Sequence, residues 1–275
     1  MGTGDDAVGM HRTWAALVVF FLLSYALTWA CWLPLVANRG DFARLPVSSE
    51  TLATLGQFGP FTAAVVMGLW GGLRDFLRRL FRVWVNPLWY VVALFLPPAL
   101  AVGAIHIQSE LTGQRPELVW PDLIGDCVPQ LVYTLLLGGP LGEEPGWRGF
   151  ALPRLQATCP PLLATLALAL VWAGWHLPLW CVADVPCTFP FYVVGVIPLT
   201  YLFTWLSDRS GGSVPVALVF HASINTCIAR LPLFPAFKAW TALLWIAAVL
   251  AFTIDRKVPT DGPTPNIRRS SGMGV

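Results

Sequence analysis

Residues Trp14 to Val36 read WAALVVFFLLSYALTWACWLPLV, and no charged residue or histidine interrupts them. A helix of about 20 such residues is long enough to cross the hydrocarbon core of a bilayer. The run is too long for the core of a signal peptide, and no clear small-residue cleavage site follows it. It therefore reads as a retained span.

The rest of the chain agrees with this stretch. Of 275 residues, 56% are hydrophobic and 12% are charged, with a mean hydropathy of +0.65. A soluble domain is about 25% charged, so this chain has too little charge to coat a water-facing surface. For the chain as a whole, that excludes a soluble globular enzyme and a disordered tail. The net charge of +2 is too small for counterion-driven binding to a phosphate backbone, which excludes a nucleic-acid partner. The apolar runs are rich in Leu, Val, Ala, Phe and Trp and lack the alternation of a membrane β-barrel. The fold expected is all-α, a polytopic transmembrane helical bundle with membrane lipids as partners. The 14 Trp and 5 Tyr suit two interfacial belts.

Hydropathy marks about eight spans, over 14–36, 51–71, 88–106, 127–150, 161–182, 189–206, 213–229 and 236–254. The fourth is interrupted by Gly138, Gly139, Pro140, Gly142, Pro145 and Gly146. A broken helix at membrane depth is tolerated where protein or a water cavity surrounds it, so function is sought there. With both termini cytosolic, twelve of the 17 Lys and Arg fall on the cytosolic side, as the positive-inside rule asks. Four of them, Arg74, Arg78, Arg79 and Arg82, share the loop between the second and third spans. This loop is read as a topology signal. The tail from Val258 is polar and reads as disordered. Among the cysteines only Cys181 and Cys187 flank a loop short enough to invite a bridge, and buried thiols acting as small apolar groups are the preferred reading. No CxxC pair supports a zinc–thiolate site.

Ionisable groups at membrane depth are expensive and mark function by default. Three clusters stand out. The first is Gly142-Glu143-Glu144-Pro145-Gly146-Trp147-Arg148. Glu144 and Arg148 are spaced i,i+4 and can pair on one helical face. Glu143 then points elsewhere and is free to act as a general base on water. The second is Trp172-Ala-Gly-Trp175-His176, an imidazole in an uncharged span with an aromatic wall one turn earlier. It can bind water, bind a metal or donate a hydrogen bond. The third is His221-Ala-Ser-Ile-Asn225, whose i,i+4 spacing puts two hydrogen-bond donors on one face. Such a pair suits an oxygen that gains negative charge. Each cluster alone is as well explained by helix anchoring or interhelical hydrogen bonding; together they supply a hydrolytic set. There is no HExxH, no GxSxG and no P-loop.

These three motifs, Glu143-Glu144-x-x-x-Arg148, Trp172-x-x-x-His176 and His221-x-x-x-Asn225, resemble those of the CAAX-protease and bacteriocin-processing (CPBP, or Abi) family of intramembrane endopeptidases, which includes the type II CAAX prenyl endopeptidases. Phe58-Gly-Pro and Trp175-His-Leu-Pro are also similar to family wording. One departure is visible: the second motif usually begins with Phe, and here it begins with Trp172. The resemblance implies a peptide hydrolase with its site in a membrane cavity. Glu143 would activate water and His176 would hold the same water. His221 and Asn225 would stabilise the oxyanion, with Glu144, Arg148 and Trp172 in support. It further implies a protein or peptide substrate, prenylated or membrane-inserted. No cofactor is expected; zinc held by Glu143, His176 and His221 is the alternative. The chain divides into helices and loops over 1–126, a catalytic core over 127–229, and a last helix with its tail over 230–275. The competing functions are a non-catalytic immunity or scaffold protein of the same fold, and a proton-coupled transporter.

This reading contains a conflict of depth. At 1.5 Å per residue, Glu143 and His221 lie within about 10–12 Å of the cytosolic face, whereas His176 lies roughly 22 Å deep. The motifs must nevertheless converge. Either the fifth span starts later or is tilted, or Glu143 sits deeper.

Overall fold

A computed structural model describes residues 3–38, 47–115, 120–182 and 189–257. Its first helix, α1 (Thr3–Ala37), carries Ser24 and Thr28 one turn apart, both with no exposed surface. In a bilayer, small and hydroxylated residues let helices approach closely and hydrogen-bond across the interface. Thr28 does this twice. Its Oγ1 donates to the Gly56 carbonyl at 2.8 Å and accepts from Trp175 Nε1 at 2.8 Å. Tyr25 donates to the Val171 carbonyl at 2.6 Å, and Trp32 Nε1 to the Ala53 carbonyl at 3.0 Å. One helix thereby fixes the segments that carry Gly56 and Trp175 against each other.

Gly56 lies in α2 (Ser49–Gln57), which is followed after Phe58 by α3 (Gly59–Trp70). The two form one apolar course, since Pro60 is tolerated in the first turn of α3. A short basic helix, α4 (Leu73–Leu80), and the long α5 (Leu88–Thr112) follow. Beyond them lie α6 (Trp120–Leu137), α7 (Pro140–Glu144), a π-helical turn (Pro145–Ala151) and α8 (Leu152–Thr158). The chain then turns at Cys159–Pro160 into α9 (Pro161–Trp175) and α10 (Leu177–Val182). It ends with α11 (Phe189–Arg209), α12 (Val214–Arg230) and α13 (Phe237–Lys257). The all-α bundle is as expected.

Among the described residues, six helical stretches are long and apolar enough to cross a membrane: 9–37, 49–70, 88–112, 161–182, 189–209 and 237–255. Two of the eight expected segments are not among them. The segment expected over 213–229 is α12, an apolar helix of 17 residues. The segment expected over 127–150 starts earlier, is divided at Gly138–Gly139, and runs on through the π-helical turn to Thr158. The Cys181–Cys187 bridge and the tail from Val258 fall outside the described residues.

The basic loop is more than a tally of charge. Gly72, Gly211 and Gly212 have φ of 89°, 67° and 82°, a region that favours glycine. Each faces a guanidinium, respectively of Arg154, Arg82 and Arg79. The turn between α11 and α12 and the start of α4 are thus packed by arginines.

Candidate active site

Glu143 and Glu144 are neighbours in sequence but face different partners. The reason is local: Pro145 and Gly146 open a π-helical turn directly after them, and such turns widen the helix and re-aim side chains. Glu144 turns into the protein. Its Oε1 accepts from Arg148 Nη1 at 2.9 Å and from His221 Nδ1 at 2.7 Å. The i,i+4 pair expected from the sequence is therefore present, and His221 joins it from α12. Glu144 and Arg148 are at most 1% exposed. The Arg148 guanidinium packs over the rings of Trp172 and Phe203, at 4.5 and 3.9 Å from their centroids, in the corner that the two perpendicular rings form. Stacking of this kind stabilises a cation removed from water. Arg148 Nε and Nη2 and Glu144 Oε2 have no hydrogen-bond partner among the described residues.

Glu143 turns the other way, towards α9. Its Oε2 accepts from Trp172 Nε1 at 2.7 Å and stands 4.0 Å from His176 Nε2. His176 Nδ1 lies 2.8 Å from the Trp172 carbonyl oxygen. A carbonyl can only accept, so Nδ1 is the donor and a neutral ring directs its Nε2 lone pair towards Glu143. Trp172 thus holds both partners, the carboxylate with its indole and the imidazole with its backbone.

Asn225 reaches the same place from α12. Its Nδ2 donates to the Gly138 carbonyl at 2.9 Å, leaving the second N–H of the amide for another acceptor. Gly138 and Gly139 break the helix here, and Gly139 has φ 111°. A β-carbon on Gly139 would sit 2.8 Å from Glu143 Oε1 and 3.6 Å from Asn225 Nδ2, so the missing side chain is what lets the two groups share one space.

Glu143, Trp172, His176, His221 and Asn225 all line a cavity of ≈ 220 Å³. Glu144 and Arg148 lie behind it. The depth conflict is resolved by the turn at Cys159–Pro160. Because the helical course continues to Thr158, Glu143 stands as many residues before this turn as His176 stands after it. With Glu143 Oε2 and His176 Nε2 4.0 Å apart, the two arms of equal residue number bring them level. The span expected to end at Phe150 thus continues through α8 to Thr158, past Pro153 in that helix's first turn.

The cavity also holds residues that the motif reading missed. Gln57, Trp32 and Tyr192 line it, the first two from helices read only as hydropathy. Gln57 was the most findable: it is the one amide side chain in the expected span 51–71, directly before Phe58-Gly-Pro. The zinc alternative needs three ligands around one point. Among the described residues no group of three or more His, Cys, Asp or Glu is gathered in that way.

The comparison with known proteins falls on the same segment. Residues 124–227 match the family model described as "Type II CAAX prenyl endopeptidase Rce1-like". A "CAAX prenyl protease 2" from Methanococcus maripaludis is 26% identical over 199 residues, covering 67% of this chain and 73% of that protein. Glu143, His176, His221 and Asn225 all lie inside the matched residues, so the segment that builds the cavity is the one similar to Rce1-like type II CAAX prenyl endopeptidases.

Proposed function

We propose that the chain is an intramembrane endopeptidase that hydrolyses a peptide bond with a Glu143-activated water, its substrates being prenylated proteins or peptides. The observation that carries this reading is the 4.0 Å gap between Glu143 Oε2 and His176 Nε2. It is too wide for a direct hydrogen bond and suits one water bridging two acceptors. Such a water gives one hydrogen to each and keeps a lone pair for the substrate carbonyl.

The step balances on these residues. Glu143 takes a proton from water as oxygen attacks the carbonyl carbon. The carbonyl oxygen becomes an oxyanion that accepts from the second N–H of Asn225 and from His221. His221 already donates Nδ1 to Glu144, so it donates from Nε2 only as the imidazolium. Collapse breaks the C–N bond, and Glu143 returns its proton to the leaving amine. Arg148 holds Glu144, and Trp172 aims Glu143. The reaction as drawn needs no metal.

The same reading extends the membrane arrangement. The course from α6 through α8, and α12, cross the bilayer beside the six long helices to make eight spans, the fourth interrupted at the site. Both termini are cytosolic, in line with the excess of Arg and Lys on that side. The core is 127–229, flanked by 1–126 and 230–275.

The test is direct. Purified protein in micelles should cleave prenylated CAAX peptides, and Glu143→Ala should reduce the rate by at least about 10²-fold, the low end for general-base catalysis. Unchanged cleavage by that variant overturns the assignment. Excess chelator should leave the rate unaltered, and restoration by zinc alone would favour the metal alternative. Vectorial substrate flux in proteoliposomes without hydrolysis would mark a transporter instead.

A further inference from the structure

Gln57 ends α2 at a point where the backbone is held from both sides. A β-carbon on Gly142 would lie 2.7 Å from the Gln57 carbonyl carbon, so α7 packs directly on this residue's main chain. The Gly56 carbonyl beside it accepts from Thr28. The backbone of Gln57 is therefore fixed relative to Glu143, one residue beyond Gly142.

Its side chain is directed into the cavity already described. Gln57 Oε1 is shielded from solvent and has no hydrogen-bond partner among the described residues. It lies 3.8 Å from the point where a β-carbon on Gly139 would sit, the point that Glu143 Oε1 and Asn225 Nδ2 also surround at 2.8 and 3.6 Å. A buried amide oxygen without a partner is costly, even on a residue that is itself only half-buried. A protein keeps one where a ligand completes it, and a site built to hydrogen-bond its substrate discriminates strongly for that reason. An amide can also turn by half a rotation and offer either an acceptor or a donor from the same place. That dual character matches a peptide backbone, which presents N–H and C=O groups alternately.

We propose that Gln57 is a substrate-binding residue of this site, hydrogen-bonding the peptide backbone next to the scissile bond and setting its register against Glu143 and Asn225. The proposal rests on the endopeptidase reading. It extends the site beyond 124–227 into the first three helices, whose role would then include reading the peptide as well as packing.

The experiment separates binding from chemistry. A fluorescent farnesylated CAAX peptide is titrated onto the Glu143→Ala protein, which holds the peptide without turning it over, with and without Gln57→Ala. The expected result is a three- to ten-fold weaker Kd with Gln57→Ala. In the otherwise wild-type protein, the same substitution should raise KM by a similar factor and leave kcat within about twofold. Gln57→Glu, of equal size, keeps an acceptor and loses the donor, and it should fall between the two. An unchanged Kd with Gln57→Ala, or no binding of the peptide by the Glu143→Ala protein, overturns the proposal. A weaker Kd with an unaltered thermal midpoint supports it, since a merely structural role would move the midpoint. If the wild-type protein binds the peptide but never cleaves it, the hydrolytic reading fails while the Gln57 contact stands.

Discussion

Trp172 donates its indole N–H to Glu143 at 2.7 Å while its own carbonyl takes the Nδ1 proton of His176 at 2.8 Å. One residue of α9 thereby sets the distance and orientation between the two groups that face the cavity. The aromatic ring does a third thing, covering the Arg148 guanidinium at 4.5 Å.

Replacing the indole tests which of these duties matters. Trp172→Phe keeps the ring and the backbone contact but removes the hydrogen bond to Glu143. A hydrogen bond to a charged group contributes about 1.5–3 kcal/mol, so kcat/KM is expected to fall by roughly ten-fold or more. Trp172→Ala should fall further and also lower the thermal midpoint. Steady-state cleavage of a prenylated peptide, paired with a melting curve, distinguishes the two. Equal activity of Trp172→Phe and wild type would mean that Glu143 is aimed by its helix alone.

Asn225 should act on the transition state. Removing one oxyanion donor typically costs about 10²–10³-fold in kcat. Asn225→Asp, which has nearly the same size and no N–H, is expected to show that loss with KM little changed. A rise in KM at constant kcat would instead mean that Asn225 binds the ground state.

Arg148 is the strongest stability prediction. Glu144 is wholly buried, and removing one member of a buried ion pair costs about 3–5 kcal/mol because the other charge is left unpaired. Arg148→Met should therefore destabilise the protein by that order in chemical or thermal unfolding. Arg148→Lys should rescue little, because a planar guanidinium stacks on aromatic rings and forks its hydrogen bonds, and an ammonium does neither. Wild-type stability of Arg148→Lys would show that charge, and not shape, is what the position requires.

At Gly146 the π-helical turn packs too closely to accept a side chain. A β-carbon on Gly146 would lie 2.6 Å from both Cβ and the carbonyl oxygen of Pro60, and neither can rotate away. Gly146→Ala is expected to cost about 1–3 kcal/mol, as overpacking does, and to lower activity by displacing Glu143. Gly125→Ala, with open space around it, serves as the neutral control.

Charge scarcity made much of this legible beforehand. Glu143, Glu144, Arg148, His176 and His221 stand out because so little else in the spans ionises, and hydropathy alone located the six long helices to within several residues. What it could not supply was where a helix continues. Pro153 and Arg154 resemble an ending, yet a proline in the first turn of α8 is tolerated, and Arg154 is held by the Phe150 carbonyl at 2.9 Å and stacks on the Phe150 ring. Gln57 and Tyr192 escaped for a different reason. Neither carries charge, and no spacing rule links them to the motifs; only packing of distant segments brings them to the cavity.

The equal arms on either side of Cys159–Pro160 have an implication for how such chains can vary in length. Residues added at the turn itself would lengthen a loop and leave the level of Glu143 and His176 untouched. A single residue gained or lost within α8 or α9 would shift one partner by about 1.5 Å and swing it by about 100°, dissolving the pairing without altering any residue of the three motifs. Length changes compatible with this chemistry therefore avoid those two arms, which makes the spacing from Glu143 to the turn, and from the turn to His176, as much a requirement of the site as the motif residues themselves.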